Sequence, residues 1–295
     1  MGRITDNKSM LNPEDFKLAL QNIDALGATP AVLLKVVELT KDPNLDMETL
    51  GALLRNDGPL VADIIRLSNS AYYAPAEIHS NLTSAISHLG LREVVRLINL
   101  SLARQLFARD LNSYGITAYD YWRDSVASGL ILEALAKTAG LNPEDAYTVG
   151  ILHPIGRLLI NRVIEEKGFS IFWDGSQTIE QWEHDAVGFD FAEAGAMLLE
   201  HWHFPAPTCD IVRWQLDPGR AAQPVSLLGA LQFTRRFLKP AGLEAENQDW
   251  PFPENDPFVK ASGLTRQAAI QLVSACREDF QRIRQAMDFT DQPPG

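Results

Sequence analysis

Apolar residues along the chain recur at spacings of three and four, the period of an amphipathic helix. From Pro30 to Lys41, the positions Leu33, Val36, Val37 and Thr40 fall on one stripe. Met47, Leu50 and Leu54 form the next, and Leu60, Val61, Ile64 and Ile65 a third. Leu91, Val94, Val95, Ile98 and Leu102 predict a longer helix ending near Phe107. Beyond a polar stretch from Asn112 to Asp120, the pattern predicts helices over Trp122 to Ala139, Pro143 to Leu152 and Ile155 to Glu166. Phe191, Ala194, Gly195, Leu198, Leu199 and Trp202 mark another, and two more run from near Val225 to Leu238 and from near Arg266 to Met287. No segment alternates apolar and polar residues convincingly enough to be a half-buried strand, so the expected class is all-α.

Local signals punctuate these helices. Asn12-Pro13, Thr29-Pro30 and Asn142-Pro143 each read as an N-cap followed by proline at the first helical position, where an amide hydrogen is not needed. Thr178 with Gln181 has capping-box spacing, and Asp190 with Glu193 a looser version of it. The stretch from Asn112 to Asp120, with its glycine and tyrosines, reads as the seam of a two-lobed helical bundle. The expected division is a flexible N-terminus (1–12), a helical lobe (13–111), a second lobe (112–240), and a connector with a C-terminal helix (241–295). Glu244 to Pro257 reads as irregular, and the tail from Phe289 to Gly295 as loose. The last helix carries Ala269, Leu272, Cys276, Phe280, Ile283 and Met287 on one side. It is expected to pack on the second lobe, with a dimer contact as the other reading; the oligomeric state stays open.

Charge narrows the function. The net charge of −12 disfavours nucleic acid and anionic membrane surfaces, because both require clustered Lys and Arg. Arg235, Arg236 and Lys239 form one basic cluster, which a solvated helix face explains. Leu82 to Asn99 has some look of a helix-turn-helix, but its alanine-to-glycine spacing is one residue too long. Cys209 and Cys276 are the two cysteines, and without CxxC spacing they point to neither a disulfide framework nor a zinc knuckle. No apolar signal segment and no membrane-length apolar run is present, which makes the cytoplasm the expected compartment.

Several phrases carry a resemblance. The chain reads Thr29-Pro-Ala-Val-Leu-Leu-Lys-Val-Val-Glu-Leu, then Leu53-Leu-Arg-Asn-Asp-Gly-Pro-Leu, then Ile65-Arg-Leu-Ser-Asn-Ser-Ala-Tyr-Tyr and Ala85-Ile-Ser-His-Leu-Gly-Leu. Tyr121-Trp-Arg-Asp-Ser, Gly150-Ile-Leu-His-Pro-Ile-Gly-Arg-Leu-Leu and Gly188-Phe-Asp-Phe-Ala-Glu-Ala-Gly follow in order. Together they resemble the HDOD family, the HD-related output domain of bacterial signalling proteins, over roughly residues 20 to 240, with 13–240 as the whole domain. The resemblance implies a second lobe like the HD phosphohydrolases and a regulatory role without established catalysis. It also implies protein partners, of the two-component or cyclic-nucleotide signalling type.

An HD phosphohydrolase binds one or two divalent metals through a histidine, an adjacent His-Asp pair and a further aspartate, and the metal activates water. On the matching positions this chain has Asp124, then His153-Pro154, then Phe191 for a histidine, Gln215 in place of a histidine pair, and Thr234 near the last aspartate. Proline offers a metal no donor. The expectation is therefore a degenerate site without metal or cofactor, filled by Phe191 and Trp214, and a protein that acts by binding partners. The alternatives are a divergent phosphohydrolase using Asp124, His153 and other carboxylates, and a sensor that binds a nucleotide without hydrolysing it. His153 is expected to be a buried or capping histidine.

Other constellations weigh less. His201 and His203 stand two apart on a predicted helix, about 200° around it, too far to share a metal. His184-Asp185 mimics an HD dyad without its apolar lead-in. No nucleophile elbow, phosphate loop or dinucleotide turn occurs. Trp173 follows Phe172 in what reads as a turn, and is the one aromatic picked out as a possible anchor for a partner.

Overall fold

The structure, a computed structural model, describes residues 20, 34–36, 47–54, 57–70, 72–220, 223–238 and 252–287. The expected caps at Asn12-Pro13 and Thr29-Pro30, most of the Pro30–Lys41 helix, Lys239 and the 289–295 tail lie outside those residues. The described residues are helical with no strand; the one β-type contact is a bridge between Leu111 and Ile116. None of their helices is long and apolar enough to cross a membrane.

The first lobe contains α1 (Met47–Leu54), α2 (Gly58–Ser68), α3 (Leu82–Leu89) and α4 (Leu91–Leu106). Asp57 caps α2 by accepting from the amide of Leu60, and Asn81 caps α3 through the amide of Ser84. Leu50, Leu54, Leu60, Ile64, Ile86 and Ile98 are fully or almost fully buried in this lobe. Most of α4 is core, with Val94, Val95, Leu97, Ile98, Leu100 and Leu102 all buried, and it also packs on the first two helices of the second lobe.

The second lobe opens after the 112–117 turn with α5 (Ala118–Ala139) and α6 (Pro143–Leu152). Asn142 caps α6 through the amide of Asp145, with Pro143 in the first turn as predicted. These two helices touch backbone to backbone. A methyl group on Gly150 would sit 2.6 Å from Cα of Gly129. Next come α7 (Gly156–Glu166), α8 (Ile179–Val187), α9 (Phe191–His201) and α10 (Ala206–Arg213). Both capping boxes are complete, at Thr178/Gln181 and at Asp190/Glu193, so the second is a full box and not a loose one.

The predicted Val225–Leu238 helix is α11 (Leu227–Phe233), capped by Ser226, followed by one widened π-type turn at Thr234–Leu238. The connector read as irregular from Glu244 to Pro257 is described only from residue 252, and a short helix that the sequence reading did not pick out, α12 (Pro257–Ser262), begins at its end. Asp256-Pro257 repeats the cap-plus-proline arrangement, and Asp256 accepts from the amide of Phe258. The last helix, α13 (Arg266–Ala286), lies along α5, where Phe280 meets Trp122 at 5.7 Å between ring centres. Its end also accepts from the first lobe, since Arg66 Nη1 donates to the carbonyl of Ala286 at 2.7 Å.

Candidate functional site

The turn joining α6 to α7 carries His153 and Pro154, and three elements hold it. His153 is 2% exposed. Its Nδ1 lies 2.7 Å from the carbonyl of Gly150; a carbonyl can only accept, so Nδ1 carries the proton. Gln215, after α10, donates from Nε2 to the carbonyls of His153 and Val212, each at 2.8 Å. Tyr121 on α5 donates its hydroxyl to the carbonyl of Pro154 at 2.7 Å. Arg235 reaches back to the carbonyl of Gln215 at 3.3 Å. Thr234 beside it is wholly buried, and its Oγ1, like Oε1 of Gln215, has no hydrogen-bond partner.

The start of α7 is pressed against the start of α9. A methyl on Gly156 would fall 2.0 Å from the carbonyl oxygen of Phe191. The Phe191 ring, 1% exposed, has two cations close by: the guanidinium carbons of Arg157 and Arg235 lie 4.3 and 5.0 Å from its centre. Glu183 on α8 is completely buried beside them. It accepts from the amide of Phe191 and the hydroxyl of Tyr114, each at 2.8 Å, and faces Arg157 at 3.9 Å. Burial pushes the Glu183 carboxyl up to about 7, although Arg157, the Phe191 amide and the Tyr114 hydroxyl all favour its charge. Burial, reinforced by the like charge of Arg157, lowers Arg235 to about 10.

The sequence-derived positions are thus partly united. His153, Pro154, Phe191 and Gln215 belong to one knit of contacts around the start of α7, and Thr234 is buried next to Arg235 in sequence. Asp124 sits one turn beyond Tyr121 on α5; its side chain is 42% exposed and pairs with Arg123 at 3.3 Å. Ser125 and Ser128 bond back to the carbonyls of Tyr121 and Asp124. Trp214 is only half-buried, with Arg220 4.1 Å over its ring, so Phe191 alone of the two is a fully buried plug.

The donors present at these positions do not suit a divalent metal of the HD type. Proline and phenylalanine give none, and two guanidinium groups stand over the Phe191 ring and repel a cation. His184, Asp190 and Glu193 do bring three potential donor atoms within 4.8 Å of one another. Both carboxylates there already close the capping box of α9, and the Asp190 carboxylate lies 3.6 Å from His184 Nε2.

Two further expectations change. Trp173 is half-buried and packed on the core, with its indole N–H donated to the carbonyl of Gln177 at 2.9 Å; the exposed neighbour is Phe172, at 62%. Arg235 is not part of a solvated basic face, because it turns onto Phe191, whereas Arg236 stays exposed and pairs with Asp256 at 3.5 Å. Sequence reasoning passed over Glu183, Arg157 and Tyr114. The available signal was that Glu183 shares a helical stripe with the apolar Ala186 and Val187, an unusual place for a carboxylate.

The described residues form an all-helical fold in which the buried Phe191 ring lies close to two guanidinium groups and a buried carboxylate. The HDOD domain family model matches residues 26–218, and the chain belongs to the HDOD family. A curated relative, an uncharacterized protein of Treponema pallidum (strain Nichols), is 25% identical over 225 residues, covering 73% of this chain and 43% of the relative. The chain therefore spans less than half the length of that relative. Among solved structures, an HDOD domain protein of unknown function from Geobacter sulfurreducens superposes with a TM-score of 0.65 at 21% identity, covering 94% of this chain and 98% of that one. A Marinobacter aquaeolei VT8 protein, provisionally assigned to signal transduction, does so with a TM-score of 0.65 at 19% identity, covering 96% and 68%. A Shewanella amazonensis SB2B protein with a provisional phosphohydrolase assignment gives 0.60 at 22%, covering 91% and 97%. At these identities the structural likeness establishes the fold.

Proposed function

We propose that the chain is a non-catalytic regulatory protein of signal transduction, acting through protein–protein contacts, with residues 13–240 as its HDOD unit. The observation that carries this reading is Phe191 buried with the guanidinium groups of Arg157 and Arg235 over its ring, at a position where the HD chemistry requires a histidine. Cations stacked on a buried ring oppose a divalent ion there. The provisional signalling assignment of the Marinobacter protein supports the same reading, and two-component or cyclic-nucleotide signalling proteins are the partner class we infer. The cytoplasm is the compartment where such partners reside.

Elemental analysis of the purified protein, after dialysis against manganese, iron and zinc in turn, tests this. The expected outcome is far less than one equivalent per chain, followed by capture of a protein partner. One equivalent retained by the wild type and lost in His153→Ala would establish the phosphohydrolase alternative instead. One equivalent lost only in His184→Ala would place the metal on the α8–α9 surface, away from the former centre.

A further inference from the structure

A second feature lies at the junction of the two lobes, away from the Phe191 plug. A cavity of about 200 Å³ opens between α4 of the first lobe and the facing parts of α5 and α6. Its size is below the roughly 300–1,000 Å³ of pockets for drug-sized ligands, so it suits a small metabolite. The walls contain two side chains that are almost wholly buried and incompletely bonded. Asn99 is 4% exposed, and its Oδ1 has no hydrogen-bond partner. Tyr147 is 3% exposed, and its hydroxyl has none either.

Between them stands Arg96, whose side chain is 17% exposed. Its Nε–H lacks a hydrogen bond, and its contacts are long: 3.5 Å to the Tyr72 hydroxyl, 3.5 Å to Glu93 and 3.8 Å to Glu133. Its guanidinium carbon lies 5.6 Å from the centre of the Tyr147 ring. Burial opposes the charge on Arg96, but Tyr147, Glu133 and Glu93 more than offset it, so the group stays a cation. The junction thus holds a buried cation, a phenol and a carboxamide oxygen with bonding capacity to spare, next to carboxylates.

The charges on the walls decide the ligand. Arg92, Arg96 and Lys137 are matched by Glu93, Glu133 and Glu144. A bare anion would meet three carboxylates and a bare cation three basic groups, while a purely apolar guest would leave the polar atoms unsatisfied. We propose that this cavity binds a small zwitterion with an ammonium and a carboxylate on one carbon, the chemistry of an α-amino acid. The carboxylate accepts from Arg96 Nε and the Tyr147 hydroxyl. The ammonium donates to Asn99 Oδ1 beside Glu93 and Glu133. Val36, Val95 and Pro143 supply an apolar wall for the substituent. Because α4 belongs to one lobe and Tyr147 to the other, such a ligand links their positions, giving the regulatory unit an input separate from any partner surface. This inference goes beyond the proposed function and does not depend on it.

The test is a thermal-shift screen of the full chain against the twenty amino acids one at a time, with titration calorimetry on any hit. Inorganic phosphate, ammonium and a nucleoside panel run alongside. The expected result is that one amino acid or a related few raise the Tm, and that Asn99→Leu weakens the hit about tenfold, the loss of one hydrogen bond to a charged group. Arg96→Met should abolish it, while Glu183→Gln at the plug leaves it unchanged. A flat amino-acid screen overturns the proposal. So does an equal shift with phosphate or ammonium alone, a shift with nucleosides only, or a hit that survives Asn99→Leu undiminished.

Discussion

Arg157 lays its guanidinium 4.3 Å from the centre of the buried Phe191 ring, while its Nε faces the buried Glu183 carboxylate at 3.9 Å. One side chain therefore ties the buried Phe191 ring to the buried acid that receives the Phe191 amide. Removing the ring leaves two guanidinium groups around a void. Phe191→Ala is expected to lower stability by about 3–5 kcal/mol, the usual cost of deleting a buried aromatic ring. Urea unfolding of the two proteins measures it. A loss below 1 kcal/mol would mean that the ring is not the plug described above.

Glu183 gives the plug a pH dependence of definite sign. Its carboxyl titrates near 4.5 when unfolded and at about 7 when folded. A folded value above the unfolded one means that the native state holds the proton more tightly, so unfolding becomes easier as pH rises between those values. The contribution is whole below 4.5, fades as pH passes through 7, and is gone above it. Glu183→Gln mimics the protonated form and should remove this slope. Wild type and variant are expected to be similar at pH 5, and the wild type weaker at pH 8 by up to about 3 kcal/mol. Parallel curves for the two proteins from pH 5 to 8 would show that Glu183 is ionised throughout.

How far the sequence reveals this molecule depends on the range of the interaction. The caps at Asn142, Thr178 and Asp190 act over three residues, and each is readable from its spacing. The short α12 was just as readable, since Asp256-Pro257 repeats the Asn142-Pro143 pattern, but it is only six residues long and follows a stretch rich in prolines and acids. That Pro154 and Phe191 offer a metal no donor atom is plain in the sequence. What surrounds them is not, because Tyr114, Arg157, Glu183 and Arg235 come from four separate elements and meet only in the folded chain. The same holds for Arg235, which sits beside Arg236 and near Lys239 in sequence yet turns its charge inward.

Both cysteines should be inert in the native state. Cys209 and Cys276 are 1% and 4% exposed, and burial pushes their thiols up to about 11 and about 12. Thiolate, the reactive form, is then scarce at neutral pH. Ellman's reagent is expected to find no fast thiol in the folded protein and 2 in guanidinium, matching the two cysteines of the chain. A thiol that reacts rapidly without denaturant would reveal an opening of α10 or α13.

Two glycines test how closely the helices approach. At Gly156 an added Cβ would lie 2.0 Å from the Phe191 carbonyl oxygen and 2.4 Å from the Gly195 nitrogen, and both are backbone atoms that cannot swing aside. The start of α7 must move off α9, and the turn bearing His153 and Pro154 must move with it. Gly156→Ala is expected to cost about 1–3 kcal/mol or more, the range for forcing atoms into a packed interior. Gly51 lies inside α1 with nothing within 4 Å of an added Cβ. There alanine removes only unfolded-state freedom, so Gly51→Ala should stabilise by about 0.5–1 kcal/mol. Urea midpoints of the two variants against wild type should therefore move in opposite directions. If Gly156→Ala leaves the midpoint unchanged, the close contact of α7 with α9 that builds the plug is wrong.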